Sequence, residues 1–278
     1  FLARQRASGQ QVALKLGDGA ASSIERLTNE VLMTSRVDHP HVARIVDHGL
    51  PGDTPDPGLT DEAPWIAREF LPGPHLGDQI PVGGLQWQLA VQIAAQIASA
   101  LAATHAAGVL HRDVKAGNVL KGADGSWKLT DFDVACDARH AAVQASTFAG
   151  TPGYVAPELI RGRPATVVSE VYALGAVLYL MLTGSLPHGG EDALELMQRC
   201  LEEDPVTPSA HGAELPVDLE KLVLAALSRK PELRPATMEV FRARLWSILL
   251  EPVKKLSASI PAGGAATWGA PRSSPGRR

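Results

Sequence analysis

The hydrophobic pattern changes period partway along the chain, and that change restricts the fold more than any other feature. Up to residue 71 the apolar runs are short. Phe1-Leu2-Ala3, a turn at Ala7-Ser8-Gly9 and Val12-Ala13-Leu14-Lys15-Leu16 read as a hairpin. Val42–Val46 and Trp65–Leu71 read as further strands, separated by a Pro/Gly/Asp-rich surface loop over Pro51–Pro64. One helix interrupts them, with Ile24, Leu27, Val31 and Leu32 at helical spacing and Ser22 or Ser23 expected as its N-cap. From Gln86 the pattern is helical, broken by a strand–loop–strand region over Val109–Leu129 and resuming from about Val168 to Leu250. This predicts an α+β chain in two lobes: a small sheet-rich N-lobe (1–70) and a larger helical C-lobe (75–250). They part near Phe70–Gly77, where Pro72, Gly73 and Pro74 break local structure, and ligands often bind in such a cleft.

Composition narrows the possible partners. The 278 residues are 45% hydrophobic and 20% charged, enough for a sizeable core, and carry a net charge of -4. A phosphate backbone needs a basic surface, so no nucleic-acid partner is expected. Cys136 and Cys200 show neither pairing nor metal spacing, which points to a reducing, cytoplasmic setting. The Ala-rich stretch Leu89–Leu110 is interrupted by Gln92, Gln96 and His105, and Val171–Thr183 is too short to span a bilayer, so no membrane contact is expected from this segment. Residues 252–278 turn to Pro, Gly, Ala and Ser and read as a disordered tail or linker.

The chemistry concentrates in His111-Arg112-Asp113-Val114-Lys115-Ala116-Gly117-Asn118. Phosphoryl transfer asks a protein to position a nucleophile, hold phosphates and hold magnesium through oxygen ligands. The Asp113 carboxylate is suited to take or orient a hydroxyl proton. Lys115 can reach a transferred phosphate, and Asn118 offers an amide oxygen to a metal. Leu129-Thr130-Asp131-Phe132-Asp133 follows after a short strand.

The octapeptide resembles the catalytic loop of the eukaryotic-type protein kinase family, and the chain looks like a bacterial member. Lys115 at its offset resembles Ser/Thr kinases. The resemblance implies that Asp131 is a second magnesium ligand beside Asn118, with Phe132 packed below it. It implies that Lys15 pairs with the α/β-phosphates of ATP and that Glu30, rather than Glu25 on the same helix, holds Lys15. Adenine would bind through the backbone around Glu69, Phe70 and Leu71. Gly150-Thr151-Pro152-Gly153-Tyr154-Val155-Ala156-Pro157-Glu158 resembles the end of an activation segment, with Glu158 paired to Arg234 and Thr151 touching Asp113 and Lys115. Ser146, Thr147 and Thr151 are candidate autophosphorylation sites, a phosphate there docking on Arg112. His111 is expected to be a packed residue rather than a base.

Four positions depart from the family pattern. Ala116 stands for Pro, Asp133 for Gly, Glu170 for Asp, and Arg68 for an apolar residue at the back of the pocket. Arg68 makes physical sense only beside a carboxylate. Phe1-Leu2-Ala3 matches the strand after the family's Gly-rich loop, so truncation just inside that loop is the simplest expectation, the other being a protein that never had the loop. The functional expectation is a Ser/Thr protein kinase that transfers the ATP γ-phosphate to protein Ser/Thr hydroxyls. Its catalytic residues would be Asp113, Lys115 and Asn118, with Lys15, Glu30, Glu69, Leu71 and Asp131 at the nucleotide and magnesium on Asn118 and Asp131. The alternative is a pseudokinase scaffold that binds nucleotide or partners with little catalysis. A small-molecule phosphotransferase would have no use for Gly150–Glu158, which shapes a peptide-binding ledge.

Overall fold

A computed structural model describes residues 1–6, 8–18, 20–50, 63–141 and 150–259. Its front part is an antiparallel sheet of β1 (Leu2–Arg4), β2 (Gln11–Leu16), β3 (Ile45–Gly49) and β4 (Trp65–Glu69), in the spatial order β1-β2-β4-β3. Helix α1 (Ala21–Thr34) joins β2 to β3. Side chains alternate across a strand, so the pairing of Leu14 with Ala67 and Leu16 with Trp65 sets one apolar face. Val12, Trp65 and Ala67 are its buried centre. The opposite face carries Ala13, Lys15, Ile66 and Arg68, and the sequence pattern thereby aims two cations the same way.

Two local expectations are corrected here. The third strand covers Ile45–Gly49 instead of Val42–Val46. Val42 instead bridges in parallel to Leu129 and is buried in the main core, so the start of that apolar run belongs to the junction with the back part. Neither Ser22 nor Ser23 caps α1. Ala20 holds the cap position without a side-chain bond, and the Ser23 hydroxyl accepts from the Asp18 amide at 3.3 Å.

The back part runs through α2 (Trp87–Ala106), β5 (Val109–Leu110), β6 (Val119–Lys121), β7 (Trp127–Leu129), β8 (Cys136–Asp137), α3 (Pro157–Ile160), α4 (Val167–Thr183), α5 (Ala193–Glu202), α6 (Val217–Ala226) and α7 (Met238–Ser259). Helix α4 is apolar on every side because it is the core, packed by α2, α6 and α7. Thr166 and Ser169 cap its start reciprocally, and Gly184 ends it at φ 74°. Gly175 lets α6 approach, since a Cβ there would lie 2.9 Å from that of Ala226. Helix α2 is long and apolar enough to cross a membrane, but 56% of its most apolar window is buried within the protein.

Helix α7 continues to Ser259, past the tail start expected at Pro252. The segment Val253–Ser259 contains no glycine and includes the good helix formers Lys, Leu and Ala, so one proline does not stop the helix there. Residues 260–278 and most of the Pro51–Pro64 loop lie outside the described residues.

One buried ion pair ties the activation-segment end to the helical core. Arg234 Nη1 and Nη2 donate to Glu158 Oε1 and Oε2, each at 2.7 Å, and the guanidinium also reaches Ser228 O and Val168 O. It lies 5.0 Å from the centre of the Tyr172 ring. Arg234→Met leaves the Glu158 carboxylate buried and unpaired, and thermal or urea denaturation is expected to show a loss of about 3–5 kcal/mol.

Candidate active site

A cleft of about 570 Å³ opens between the sheet and the β6–β7 hairpin. Ala13 and Lys15 form its roof, Glu69 and Leu71 its inner edge, and Asn118 and Asp131 its floor. The hairpin sets the floor's register. Val119 pairs with Leu129, and Asn118 O accepts from both the Thr130 amide at 2.9 Å and the Thr130 hydroxyl at 3.2 Å. Asn118 and Asp131, distant in sequence, therefore leave the same end of one ladder. The Glu69 carboxylate is engaged by Lys128 Nζ at 2.6 Å, so it is backbone that this residue can offer a ligand in the cleft.

At the mouth of the cleft the Asp113 carboxylate is held from three directions. Thr151 Oγ1 donates to Oδ1 at 2.8 Å, Asn118 Nδ2 donates to Oδ2 at 3.0 Å, and Lys115 Nζ lies 2.6 Å from Oδ2. Lys115 also donates to Thr151 Oγ1 at 2.8 Å. Asn118 spends its amide nitrogen on Asp113, which leaves its amide oxygen as the group it can offer a cation. That oxygen and the Asp131 carboxylate are hard donors on one cleft floor, a set that fits magnesium.

Beneath the mouth, His111 is fully buried and makes no approach to a reactive position. Its Nδ1 accepts from the Asp113 amide at 3.3 Å and its Nε2 donates to Thr130 O at 3.0 Å, with its ring edge-on to Phe132 at 4.6 Å. Glu170 reaches where the family's shorter Asp would stand. Its Oε1 accepts from the Arg112 amide at 2.7 Å and its Oε2 lies 2.6 Å from His105 Nε2. Ser146 and Thr147 lie outside the described residues.

On the roof, Lys15 Nζ lies 3.1 Å from Glu30 Oε2 and 3.4 Å from Asp131 Oδ1, and it also contacts Asp133 Oδ1. Arg68 Nη2 contacts Glu30 Oε1 and lies 3.6 Å from Asp131 Oδ1. Glu30, not Glu25, is therefore the partner of Lys15. Burial pushes the Glu30 carboxyl up to about 8, against the pull of Arg68 and Lys15. Burial works the same way on Asp133, but hydrogen bonds from Glu30 and Lys15 hold it well below the usual carboxylate range. Burial lowers the Lys15 ammonium, and Glu30, Asp133 and Asp131 more than reverse that. Three carboxylates, Glu30, Asp131 and Asp133, thus face two cations, Lys15 and Arg68.

Sequence reasoning found Arg68 only as an oddity and did not identify its carboxylate partners. It missed His105 as the partner of Glu170. It also missed two ties from α1 to the segment after Asp131: Asn29 Nδ2 donates to Ala135 O at 2.8 Å, and Arg36 Nη1 to Asp137 Oδ2 at 2.9 Å. None of these lies in a motif, since each depends on two elements meeting.

Glu170 makes a pH-dependent contribution to stability. Burial would raise its pKa, but His105 and the Arg112 amide bring it below the ordinary 4.5. The unfolded chain thus binds this proton more readily, and the stabilisation is present above about pH 4.5 and lost as pH falls through the folded value. Melting curves across pH 3–6 are expected to fall more steeply with acid for the native chain than for Glu170→Gln.

Comparison with known proteins agrees with this geometry. A family model described as the protein kinase domain matches residues 1–246. Serine/threonine-protein kinase PknB of Mycobacterium tuberculosis is 34% identical over 224 residues, covering 79% of this chain and 35% of the relative. Serine/threonine-protein kinase pkn3 of Myxococcus xanthus is 32% identical over 267 residues, covering 89% of this chain and 47% of the relative. A probable PknB of Corynebacterium glutamicum is 32% identical over 229 residues, covering 80% and 35%. The chain thus spans between about a third and a half of the length of these relatives.

Proposed function

The chain belongs to the protein kinase domain family, and from that premise we propose that it transfers the γ-phosphate of ATP to Ser or Thr hydroxyls of protein substrates. The observation that carries this reading is the convergence of Thr151, Lys115 and Asn118 on the Asp113 carboxylate at the cleft mouth. A nucleotide-binding scaffold has no need of that arrangement.

In this reading a substrate hydroxyl enters beside Asp113, which orients it and takes its proton as oxygen attacks the γ-phosphorus. The O–P bond forms, the bond from the γ-phosphorus to the β,γ-bridging oxygen breaks, and ADP leaves with that electron pair. Lys115, already within reach of Asp113 and Thr151, is placed to offset charge on the transferred group. Asn118 and Asp131 would hold magnesium, which supplies charge neutralisation at the phosphates. Lys15, kept in place by Glu30, is the residue for the α/β-phosphates, and the backbone of residues 69–71 for the adenine.

A phosphate on Thr151 would stand beside Asp113 and be repelled, so the reading places autophosphorylation on Ser146 or Thr147 instead. It carries with it a cytoplasmic setting, where ATP is abundant and the buried thiols of Cys136 and Cys200 stay reduced.

The test is labelled ATP with magnesium, given to the full-length protein and to its Asp113→Asn variant. Loss of the carboxylate is expected to lower incorporation about 10²–10⁴-fold, with nucleotide affinity changed by less than about threefold. Equal silence in the two proteins while nucleotide still binds would favour the scaffold.

A further inference from the structure

Asp133 stands where the family pattern has glycine, and the transfer reading leaves it without a task. Its place in the chain suggests one. Asp131, two residues earlier, holds φ 65°, a conformation that a residue with a Cβ keeps only where its surroundings over-determine it. Before it, the Thr130 amide and hydroxyl are both bound to Asn118 O. After it, Phe132 is 1% exposed in the main core. The chain then turns back at once, with the Ala135 amide donating to Phe132 O at 3.0 Å, and Asp133 is a corner of that turn.

The turn is gripped from both parts of the fold. Arg112 Nε donates to Val134 O, and Asn29 Nδ2 on α1 donates to Ala135 O at 2.8 Å. The half-buried Asp133 side chain adds a grip from the sheet, because its Oδ1 meets Lys15 Nζ on β2. Glycine would offer no such bond, and it would also visit backbone conformations that other residues avoid. An aspartate at this corner narrows the alternatives to the turn. It does so without left-handed strain, since Asp133 has no positive φ.

Lys15 holds Asp133 without giving up Glu30. A lysine ammonium has three N–H donors, and here it meets Asp133, Glu30 at 3.1 Å and Asp131 Oδ1 at 3.4 Å. The longest of these contacts is the one a phosphate oxygen can replace, with the other two retained.

We propose that Asp133 is a positioning residue for Asp131. Tied to Lys15, it pins the Phe132–Ala135 turn to the sheet and so fixes the Asp131 carboxylate on the cleft floor before any nucleotide arrives. The inference rests on neither nucleotide binding nor phosphoryl transfer, so its failure would leave the reading above standing.

The measurement is amide hydrogen exchange of the full-length protein without nucleotide or metal, read at Ala135, whose amide closes the turn, and at Thr130, whose amide closes the adjoining hairpin. In Asp133→Asn the Ala135 amide should exchange about 5–20-fold faster, as for loss of a half-buried hydrogen bond between charged groups, while Thr130 changes by less than about twofold. Asp133→Glu, which keeps the anion, should recover part of the lost protection. In a Lys15→Met background, Asp133→Asn should alter exchange at Ala135 by less than about twofold.

Equal acceleration in the two backgrounds would place the effect in the turn itself and overturn the proposal. No acceleration at Ala135, equal acceleration at Thr130, or no recovery in Asp133→Glu would each overturn it as well. If Asp133→Asn does not fold, Asp133→Gly, which carries the family's residue, is read by the same criteria. Failure of both to fold would assign Asp133 to the stability of the whole fold and overturn the proposal. If Lys15→Met does not fold, recovery or its absence in Asp133→Glu decides.

Discussion

Arg112 and Asp131 hold the left-handed backbone conformation, at φ 64° and 65°, which residues with a Cβ adopt at a cost of order 1–3 kcal/mol. The site depends on these two bends, because one turns Asp113 toward the cleft mouth and the other turns the Asp131 carboxylate onto its floor. Each is held by partners from elsewhere in the fold. The amide of Arg112 is fixed by the buried carboxylate of Glu170 on α4, and its side chain by Val134 O. His111 locks the two bends to each other through the Asp113 amide and Thr130 O while its ring rests on Phe132. The apolar interior built by α2 and α4 therefore acts on the site through a few hydrogen bonds from buried residues.

Mouth and roof meet their charges differently. At the mouth, Asp113 is partly open to solvent and answered by a hydroxyl, an amide and one lysine, so its partners can rearrange without stranding a buried charge. On the roof, Glu30 is buried and answered by two cations, so its contacts resist change. This difference lets the mouth rearrange around a substrate while α1 stays docked. Asn29 and Arg36 strengthen that docking at the other end of α1, through Ala135 O and Asp137.

Much of this was legible in the sequence because motifs are local. Asp113, Lys115 and Asn118 sit on one loop, and their mutual contacts follow once that loop closes. The partnership of Glu158 with Arg234 came from a resemblance, and the structure pairs the two residues. What could not be read were choices between partners of equal local appeal. Val42 and Ile45 belong to one apolar run, yet the first joins the main core and the second a strand of the sheet. Ser22 and Ser23 are good capping residues by type, but the helix begins at Ala21, behind a cap at Ala20, and takes both inside. Pro252 ends a helix by rule, yet α7 runs through it to Ser259. The family of the domain was legible before the fold was seen; the partner of Arg68 was not, because it lies on another element.

The departures from the family pattern are best judged by what each new group meets. Glu170 is one methylene longer than Asp, and its two oxygens meet the Arg112 amide and His105. Asp133 replaces a glycine, but among the described residues only Arg112 and Asp131 combine a side chain with positive φ, so its Cβ brings no left-handed strain in this arrangement. Its carboxylate meets Lys15. Arg68 meets Glu30 and Asp131, leaving only its Nε buried without a partner. A site drifting away from use would be expected to gather buried charges without counter-charges, each costing several kcal/mol. Here each introduced charge has an opposite within reach, and each of those opposites belongs to the nucleotide site. The departures therefore modify how Lys15, Glu30 and Asp131 are held, and they leave in place the oxygens and ammonium groups that phosphoryl transfer requires.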